Sequence, residues 1–307
     1  MFVKSLVSVL SKPGYLHQSP LSPGLSSVLL HTSSGCNSAL ATLRKNTGYS
    51  LSICKKALGE NNNDVGAAEK WLKDQAQAQG WAKAQKLQGR NTSQGLLGVL
   101  VRSQTAAMVE VNCETDFVAR NTQFIGLLKQ VAESCVNNNS SVSDQPITKT
   151  VISRDSVAAS ASVEEGKTVG DLVALNIGQI GENMALGQAR LFSAGPGVRL
   201  AAQCHPSAGE GGDQGWFCGR YAAVLAYTVS GHGSYPGGVS EEVFIKQLCQ
   251  HIVGMGPTSL DDADDKENSL LHQSFLLDED KKVSEVLSSA GVEVVDFTRV
   301  EVGRSEE

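Results

Sequence analysis

The side chains best suited to chemistry lie together in the segment VNCETDFVARN, residues 111–121. Cys113 offers a thiol, while Glu114 and Asp116 offer carboxylates that could form an acid–base pair. Like charge disfavours a thiolate beside carboxylates, and no histidine lies near Cys113 in the sequence to act as its base. Both carboxylates are expected to be solvated at a strand-to-helix corner. Catalysis is therefore disfavoured here, and the aromatic Phe117 among these acids needs another explanation.

Other possible ligands for a metal ion are scattered through the chain. The seven cysteines form no C-x-x-C pair, and Cys204, His205, Cys218 and His232 lack the spacing of a zinc site. The sequence also contains no G-x-x-x-x-G-K-[ST], H-E-x-x-H or G-x-S-x-G motif. We therefore predict a binding protein that is not an enzyme, with no metal or cofactor, and with free thiols in a reducing compartment.

The composition limits the kinds of partner. The chain has 307 residues, of which 41% are hydrophobic and 19% charged, as in a globular protein of roughly two domains. Its net charge of -6 argues against general binding of nucleic acid, whose phosphates attract positive charge. No run approaches the roughly 20 apolar residues of a membrane-spanning helix. The favoured partner is another protein.

The N-terminal segment differs from the rest of the chain, because no acidic residue precedes Glu60. Residues 1–38 are rich in serine, and on a helical wheel the apolar side chains from Phe2 to Leu10 share one face. This pattern is typical of an organelle transit peptide, although arginine is scarce. A secretory signal fits less well because Lys4 interrupts the apolar core, and a disordered tail is the alternative. We predict that residues 1–38 direct the protein to the mitochondrial matrix and are then removed.

The next segment, residues 39–78, is predicted to form three short helices. Residues 79–92 are predicted to be a partly helical linker that is interrupted by glycines such as Gly80. Gly48 is expected to end the first helix, Ser50 to cap the second, and Asp64 to cap the third. Helical modules of this size usually bind a partner.

Gly48-Tyr49 lies in the first turn of this module, Ala57-Leu58 at the end of its second helix, and Trp71-Leu72 in its third. This pattern resembles the ubiquitin-associated (UBA) domain, in which an apolar patch lies beside the first loop. Here the patch would centre on Tyr49 and Leu51. One alternative function is therefore a ubiquitin-binding scaffold that uses residues 39–75.

Two similar sheet-plus-helix units are predicted to follow, at residues 93–195 and 196–307. In the first, GLLGVLVRSQTAAMVEVN is typical of two strands with a turn at Arg102–Thr105. In the second, AAVLAYT matches AAMVEVN in position, and Ser240 is expected to cap the helix that follows. The Gly-rich segment 195–215 is interpreted as a mobile insert. The predicted fold class is α+β, with the three-helix module preceding a core of these two units.

Three motifs in order resemble the elongation factor Ts family. VEVNCETDFVARN (Val109–Asn121) looks like the family's signature and IGENM (Ile180–Met184) like its second signature, while LRKNTG…CKKAL (Leu43–Leu58) resembles its N-terminal module. The segments SFLLDEDKKVSEVL and VVDFTRVEVG are similar to its closing helix and strand. The resemblance covers the chain from about Ala39 onward and, with the transit-like leader, favours the mitochondrial form.

The resemblance implies a function and a site. Members of the family are guanine-nucleotide exchange factors for the translational GTPase elongation factor Tu. In them, the Asp-Phe pair of the signature is pushed against the GTPase domain near the nucleotide and Mg²⁺. By position this pair is Asp116 and Phe117, flanked by Thr115 and Val118. Spacing alone favours a different role for Phe117, as a core residue at the start of a helix.

The resemblance also implies a second contact and a stoichiometry. Positions that match the family's contact region in the N-terminal module are Arg44, Leu51 and Lys55. Bacterial members dimerise through a long helical hairpin, whereas Gly254–Gln273 is short and acidic here, so we expect a one-to-one complex with mitochondrial elongation factor Tu. No direct binding of nucleotide, nucleic acid or membrane is expected of this chain. In the second signature, Gly181 and Asn183 are expected to organise a turn.

Overall fold

A computed structural model describes residues 34–47, 49, 51–139, 143–208, 215–230 and 233–304, with side chains from residue 38 onward. Most of the predicted transit peptide, as well as Gly48 and Ser50, lies outside these residues. The described residues divide into two compact units, one ending at Ala68 and the other beginning at Glu69.

Nine α-helices occur in the described residues. They are α1 (Ser34–Thr47), α2 (Leu51–Glu60), α3 (Val65–Leu87), α4 (Asp116–Ala119), α5 (Thr122–Asn138), α6 (Arg154–Ala159), α7 (Val169–Ile180), α8 (Glu241–Met255) and α9 (Val283–Ala290). Short 3-10 turns lie at Pro236–Gly238 and Leu270–His272. Within the same residues, no helix combines the length and apolar character that crossing a membrane requires.

Ten strands form three antiparallel sheets in the described part of the chain. They are β1 (Gln94–Arg102), β2 (Thr105–Cys113), β3 (Ile147–Ile152), β4 (Met184–Ala194), β5 (Arg199–His205), β6 (Trp216–Gly219), β7 (Tyr221–Val229), β8 (Ser274–Phe275), β9 (Asp278–Lys282) and β10 (Val292–Glu301). The strand orders are β3-β4-β2-β1-β6, β10-β7-β5 and β8-β9.

The N-terminal unit is built from α1, α2 and the start of α3. Leu43 of α1 is buried, as are Cys54, Ala57 and Leu58 on one face of α2, so the two helices pack through these apolar side chains. Asp64 caps α3 as predicted, since its Oδ1 accepts a hydrogen bond from the Ala67 amide at 2.9 Å. The first helix begins at Ser34, five residues before the start expected from the sequence.

Helix α3 extends to Leu87, so residues 79–87 of the predicted linker are helical. Gly80, which looks like a helix breaker in the sequence, lies inside this helix where α3 crosses α7. A Cβ on Gly80 would lie 2.5 Å from the Ala174 carbonyl oxygen, and one on Gly178 would lie 2.9 Å from the Gly80 Cα. Here glycine permits two helices to approach closely and does not mark a break.

The first sheet begins with the predicted hairpin. β1 and β2 pair along their whole length to Arg102↔Thr105, and Ser103 in the turn has a positive φ of 52°. The segment NTQFIGLLKQVAESCV has apolar residues at helical spacing, which predicts a helix. That helix, α5, packs on this sheet through these side chains. These buried residues are Phe124, Leu127, Leu128 and Val131.

The second sheet corrects the prediction of a mobile insert at 195–215. Residues Arg199–His205 form β5, which pairs with β7 along its full length, while residues 209–214 lie outside the described residues. Ser240 caps α8 as predicted, accepting from the Val243 amide at 3.4 Å. Helices α8 and α9 cover this sheet and enclose a core with Phe244, Leu248 and Val286.

The two larger sheets share a core. Val99 and Met108 from the first sheet pack in one apolar cluster with Val224 and Val300 from the second. Strand β6, from the predicted second unit, pairs with β1 of the first sheet. The predicted α+β class is confirmed, and the shared core gives β2 and β4 a rigid base from which the loops at their ends project.

Candidate partner-binding site

The segment singled out in the sequence is a tight corner between β2 and α5. After Cys113 the chain passes through α4, a single turn, and Thr115 is the N-cap of that turn with extended backbone angles. The Thr115 Oγ1 accepts a hydrogen bond from the Val118 amide at 3.3 Å. Asn121 then caps α5, its Oδ1 accepting from the Gln123 amide at 2.8 Å. Two caps in succession fix the direction of the chain at this corner.

Phe117 lies at the tip of the corner and faces solvent. It is 81% exposed, more than any other large hydrophobic residue that the structure describes, whereas Val118 and Ala119 are 7% and 6% exposed. A single helical turn therefore points the two residues after Phe117 into the core and Phe117 itself outward. This observation excludes the reading of Phe117 as a core residue of the free protein.

The loop between α7 and β4 holds the corner from the other side. Glu182 accepts hydrogen bonds from the Thr115 amide at 3.1 Å and from the Thr115 hydroxyl at 2.9 Å. In return, Glu114 Oε1 accepts from the Asn183 amide at 2.7 Å. Gly181 ends α7 with a left-handed φ of 95°, which agrees with the predicted turn.

The second acid of the corner, Asp116, has an exposed partner. Its Oδ2 lies 3.2 Å from Arg120 Nη2, and both side chains are largely accessible to solvent. Such exposed pairs contribute little to stability, about 0–1 kcal/mol, so this carboxylate is available for other contacts. Glu114 differs, because its side chain is 20% exposed and lies 3.5 Å from Arg90 Nη1.

Cys113 is not a nucleophile at this corner. Its buried Sγ donates to the Thr115 carbonyl oxygen at 3.2 Å. Burial, together with the negative charge of Glu182, raises the pKa of the thiol to about 12, so the reactive thiolate is not formed at neutral pH. All six cysteines with described side chains are buried free thiols. Among the described residues no His, Cys, Asp and Glu side chains gather as metal ligands, and His232 lies outside them.

Comparison with known proteins gives this corner a family. Residues 27–82 match the family model described as "Elongation factor Ts, mitochondrial, N-terminal", and residues 114–265 match "Elongation factor TS". The chain is 43% identical over 277 residues to the mitochondrial elongation factor Ts of Aedes aegypti, covering 87% of this chain and 88% of that one. It is 36% identical over 286 residues to the human protein of that name, covering 91% and 86%. The chain belongs to the elongation factor Ts family. It is thereby a factor of translation elongation.

The N-terminal residues predicted from the resemblance to elongation factor Ts are exposed. Leu51 is 53% exposed, and Arg44 and Lys55 are also accessible to solvent. Ile53, which was not predicted from the sequence, is 43% exposed on the same helix as Leu51. Cys54 beside it is buried, so α2 has one face in the core and leaves two large apolar residues in water.

Glu182 was not predicted from the sequence either, although it lies between Gly181 and Asn183 in the second signature of elongation factor Ts. The four predicted corner residues are contiguous, and the structure brings this second motif against them. Pairing of β2 with β4 ends at Cys113↔Met184, which places the ends of both signatures side by side. This register joins segments that lie far apart in the sequence, and without it the contact of Glu182 with the corner could not be predicted.

Proposed function

We propose that this member of the elongation factor Ts family is a guanine-nucleotide exchange factor. It binds GDP-bound elongation factor Tu, inserts Asp116 and Phe117 near the nucleotide and Mg²⁺ site, and promotes release of GDP so that GTP can bind. The observation that carries the proposal is Phe117, 81% exposed on a corner that hydrogen bonds hold from two sides. A ring projected from rigid elements keeps its direction when it enters a partner.

The energetics of a ring entering an apolar pocket are sufficient for exchange. An aromatic ring gains little in water and much in a pocket, and a buried aromatic anchor contributes about 2–4 kcal/mol to an interface. If the factor binds the nucleotide-free GTPase better than the GDP form, GDP affinity falls by the same ratio. Each 1.4 kcal/mol or so of that difference corresponds to about a tenfold change. Acceleration by two orders of magnitude therefore needs no covalent step.

The N-terminal module would supply a second contact. Leu51 and Ile53 offer apolar surface on α2, and Arg44 and Lys55 offer positive charge. We propose that these side chains bind the GTPase domain and add affinity, while the Phe117 ring is the wedge, the side chain that enters the domain near the nucleotide. The chain itself then needs no nucleotide site, and nucleic acid and membrane play no part.

The complex is proposed to contain one copy of each protein, in the mitochondrial matrix. The resemblance leads one to look for a dimerising hairpin in residues 256–273. The regular structure there is the 3-10 turn Leu270–His272 and a single bridge between Ser259 and Ser269. The relatives named above are described as mitochondrial, and the acid-free residues 1–38 have the composition of a transit peptide. A reporter fused to residues 1–38 tests the location, and a diffuse cytosolic signal would contradict it.

The proposal is tested by stopped-flow release of fluorescent GDP from elongation factor Tu. Phe117→Ala is expected to keep its fold, as measured by circular dichroism. At saturating concentration, its acceleration of GDP release should be at least about tenfold smaller than that of wild type. Leu51→Ala should instead raise the concentration needed for half-maximal acceleration. Val151→Ala, which truncates a 59% exposed residue on β3, is the matched control and should behave as wild type.

Two outcomes would overturn the assignment. A folded Phe117→Ala protein that accelerates the release of GDP as wild type does would show that Phe117 is not the side chain that drives release. Saturable binding of ubiquitin by the full chain, lost in Leu51→Ala while release of GDP is unaffected, would instead support the scaffold role of residues 39–75.

A further inference from the structure

The loops that follow β2 and precede β4 continue the pairing of these strands by an unusual means. The last main-chain pairs are Asn112↔Ala185 and Cys113↔Met184. The same register would place Glu114 opposite Asn183 and Thr115 opposite Glu182. At both positions the amide donates to a side-chain carboxylate: Thr115 N to Glu182 Oε2 at 3.1 Å, and Asn183 N to Glu114 Oε1 at 2.7 Å. Two carboxylates, one from each loop, thus extend the ladder beyond its end.

The Glu182 carboxylate reaches the turn that carries Phe117 through one hydroxyl group. Thr115 Oγ1 donates to Glu182 Oε1 at 2.9 Å and accepts from the Val118 amide at 3.3 Å. Because a hydroxyl has one proton, donation to the carboxylate leaves its lone pairs directed at the amide of α4. Hydrogen bonds to an ionised acceptor are about twice as strong as neutral ones. Glu182 therefore orients the hydroxyl that caps α4.

Helix α4 needs this support because it is a single turn. Fixing the first turn of a helix is unfavourable by itself, so four residues do not hold a helical geometry without outside contacts. Val118 and Ala119 anchor the turn in the core, and Thr115 holds its start. Loss of the Glu182 contact would leave the start of the turn tied only by weaker bonds.

We propose that Glu182 is a positioning residue for nucleotide exchange, which sets the direction of Phe117 through Thr115. This inference rests on the proposed function. Glu182 does not itself enter the partner. It keeps the wedge in one orientation in the free protein, so that docking does not have to order it first.

The test compares Glu182→Ala and Glu182→Gln with Glu110→Gln. Glu110 is the matched control, because its carboxylate also accepts from a main-chain amide, that of Gly303 at 2.9 Å, but lies in the middle of β2. Glu182→Ala is expected to slow release of fluorescent GDP from elongation factor Tu about tenfold or more, since a misplacement of about 1 Å can cost that much. Glu182→Gln keeps one acceptor and should fall between Ala and wild type, and Glu110→Gln should match wild type.

Two further readouts separate positioning from general stability. By NMR, the amides of Thr115 and Val118 should exchange hydrogen faster in Glu182→Ala while that of Val111 in β2 is unchanged. In the double variant with Phe117→Ala, the Glu182→Ala change should not slow the release of GDP any further, because the Phe117 ring through which Glu182 acts is already absent.

The inference is wrong if Glu182→Ala and Glu110→Gln accelerate the release of GDP from elongation factor Tu equally. It is also wrong if the double variant slows release by the product of the two single effects, Glu182→Ala and Phe117→Ala. Unchanged amide exchange at Thr115 and Val118 would also overturn it. A wild-type rate for Phe117→Ala alone would instead refute the proposed function, and the amide measurement would still report whether Glu182 orders the turn.

Discussion

Phe117 and Val118 are adjacent in sequence but have opposite environments. Val118 is 7% exposed in the core below β1, whereas Phe117 is 81% exposed. Burial of Phe117 would have added to the stability of the fold, so its position in water is not explained by folding. Its exposure on an ordered corner therefore supports the proposed role of Phe117 in binding a partner. The free protein thus forgoes the stabilisation that burial of Phe117 would give, which is consistent with a role of this side chain in binding.

Asp171 on α7 accepts hydrogen bonds from two side chains of α3, so its ionisation affects the packing of these helices. Its Oδ1 accepts from Gln77 Nε2 at 2.8 Å and from Trp81 Nε1 at 2.9 Å, and its Oδ2 accepts from the Thr168 amide at 2.9 Å. Burial alone would raise the pKa of this carboxyl, but the hydrogen bonds outweigh it and hold the pKa below its ordinary value of 3.8. The pKa of Asp171 is lower in the folded than in the unfolded state, so the ionised carboxylate stabilises the fold fully at pH values above the unfolded pKa. The contribution is lost as pH falls through the folded pKa.

Asp171→Asn is therefore expected to lower the free energy of unfolding at pH 7 by about 1–1.5 kcal/mol, the difference between a hydrogen bond to a charged acceptor and one to a neutral acceptor. The difference from wild type should shrink as the pH falls below about 4 and through the lowered pKa of the folded wild-type carboxyl, because that carboxyl then takes up a proton. Urea denaturation at a series of pH values measures both. Asp280→Asn, at an exposed position on β9, is the control and should show a smaller change. A difference that grows in acid would contradict this account.

Between elements, the crossing of α3 and α7 depends on two glycines. A Cβ on Gly80 would lie 2.5 Å from the Ala174 carbonyl oxygen, a main-chain atom that cannot rotate away. Gly80→Ala is therefore expected to destabilise the fold by about 1–3 kcal/mol through overpacking. Gly126, exposed on α5 with no atom within 4 Å of an added Cβ, is the matched control. Gly126→Ala should instead raise stability, by up to about 1 kcal/mol.

Thermal denaturation of the two glycine variants measures these effects. Equal melting temperatures for Gly80→Ala and Gly126→Ala would show that the helices do not approach as closely as described. Because Phe117 lies on α4 and not on either crossing helix, the proposed exchange activity of folded Gly80→Ala protein should survive.

Elements with local signals were predictable from the sequence, and those that depend on distant contacts were not. The β1–β2 hairpin, α5 and the cap of α8 follow from apolar spacing and from cap residues such as Ser240. Strand β5 was missed because its pairing with β7 outweighs the glycines around it. Gly80 was misread because glycine marks both a helix break and a close helix crossing, and only the position of α7 separates the two.

Across the whole molecule, the candidate site combines segments that lie far apart in sequence. The corner residues from Thr115 to Val118 were found through their resemblance to elongation factor Ts, and the structure adds that Phe117 is exposed. Glu182 could not be predicted, because only the β2–β4 register brings it to Thr115. Domain limits at residues 78 and 92 stay predictions, although α3 runs past the first of them.

In the proposed complex, the ring of Phe117 enters the GTPase domain of elongation factor Tu. Photocrosslinking tests this contact: 4-azidophenylalanine is placed at position 117 and the complex with the GTPase is irradiated, with the same group at position 151 as the control. We predict crosslinks from position 117 to peptides beside the nucleotide site, in a product whose intact mass equals one copy of each chain, and none there from position 151. Crosslinks from position 117 only to its own chain, with the complex formed, would contradict the account.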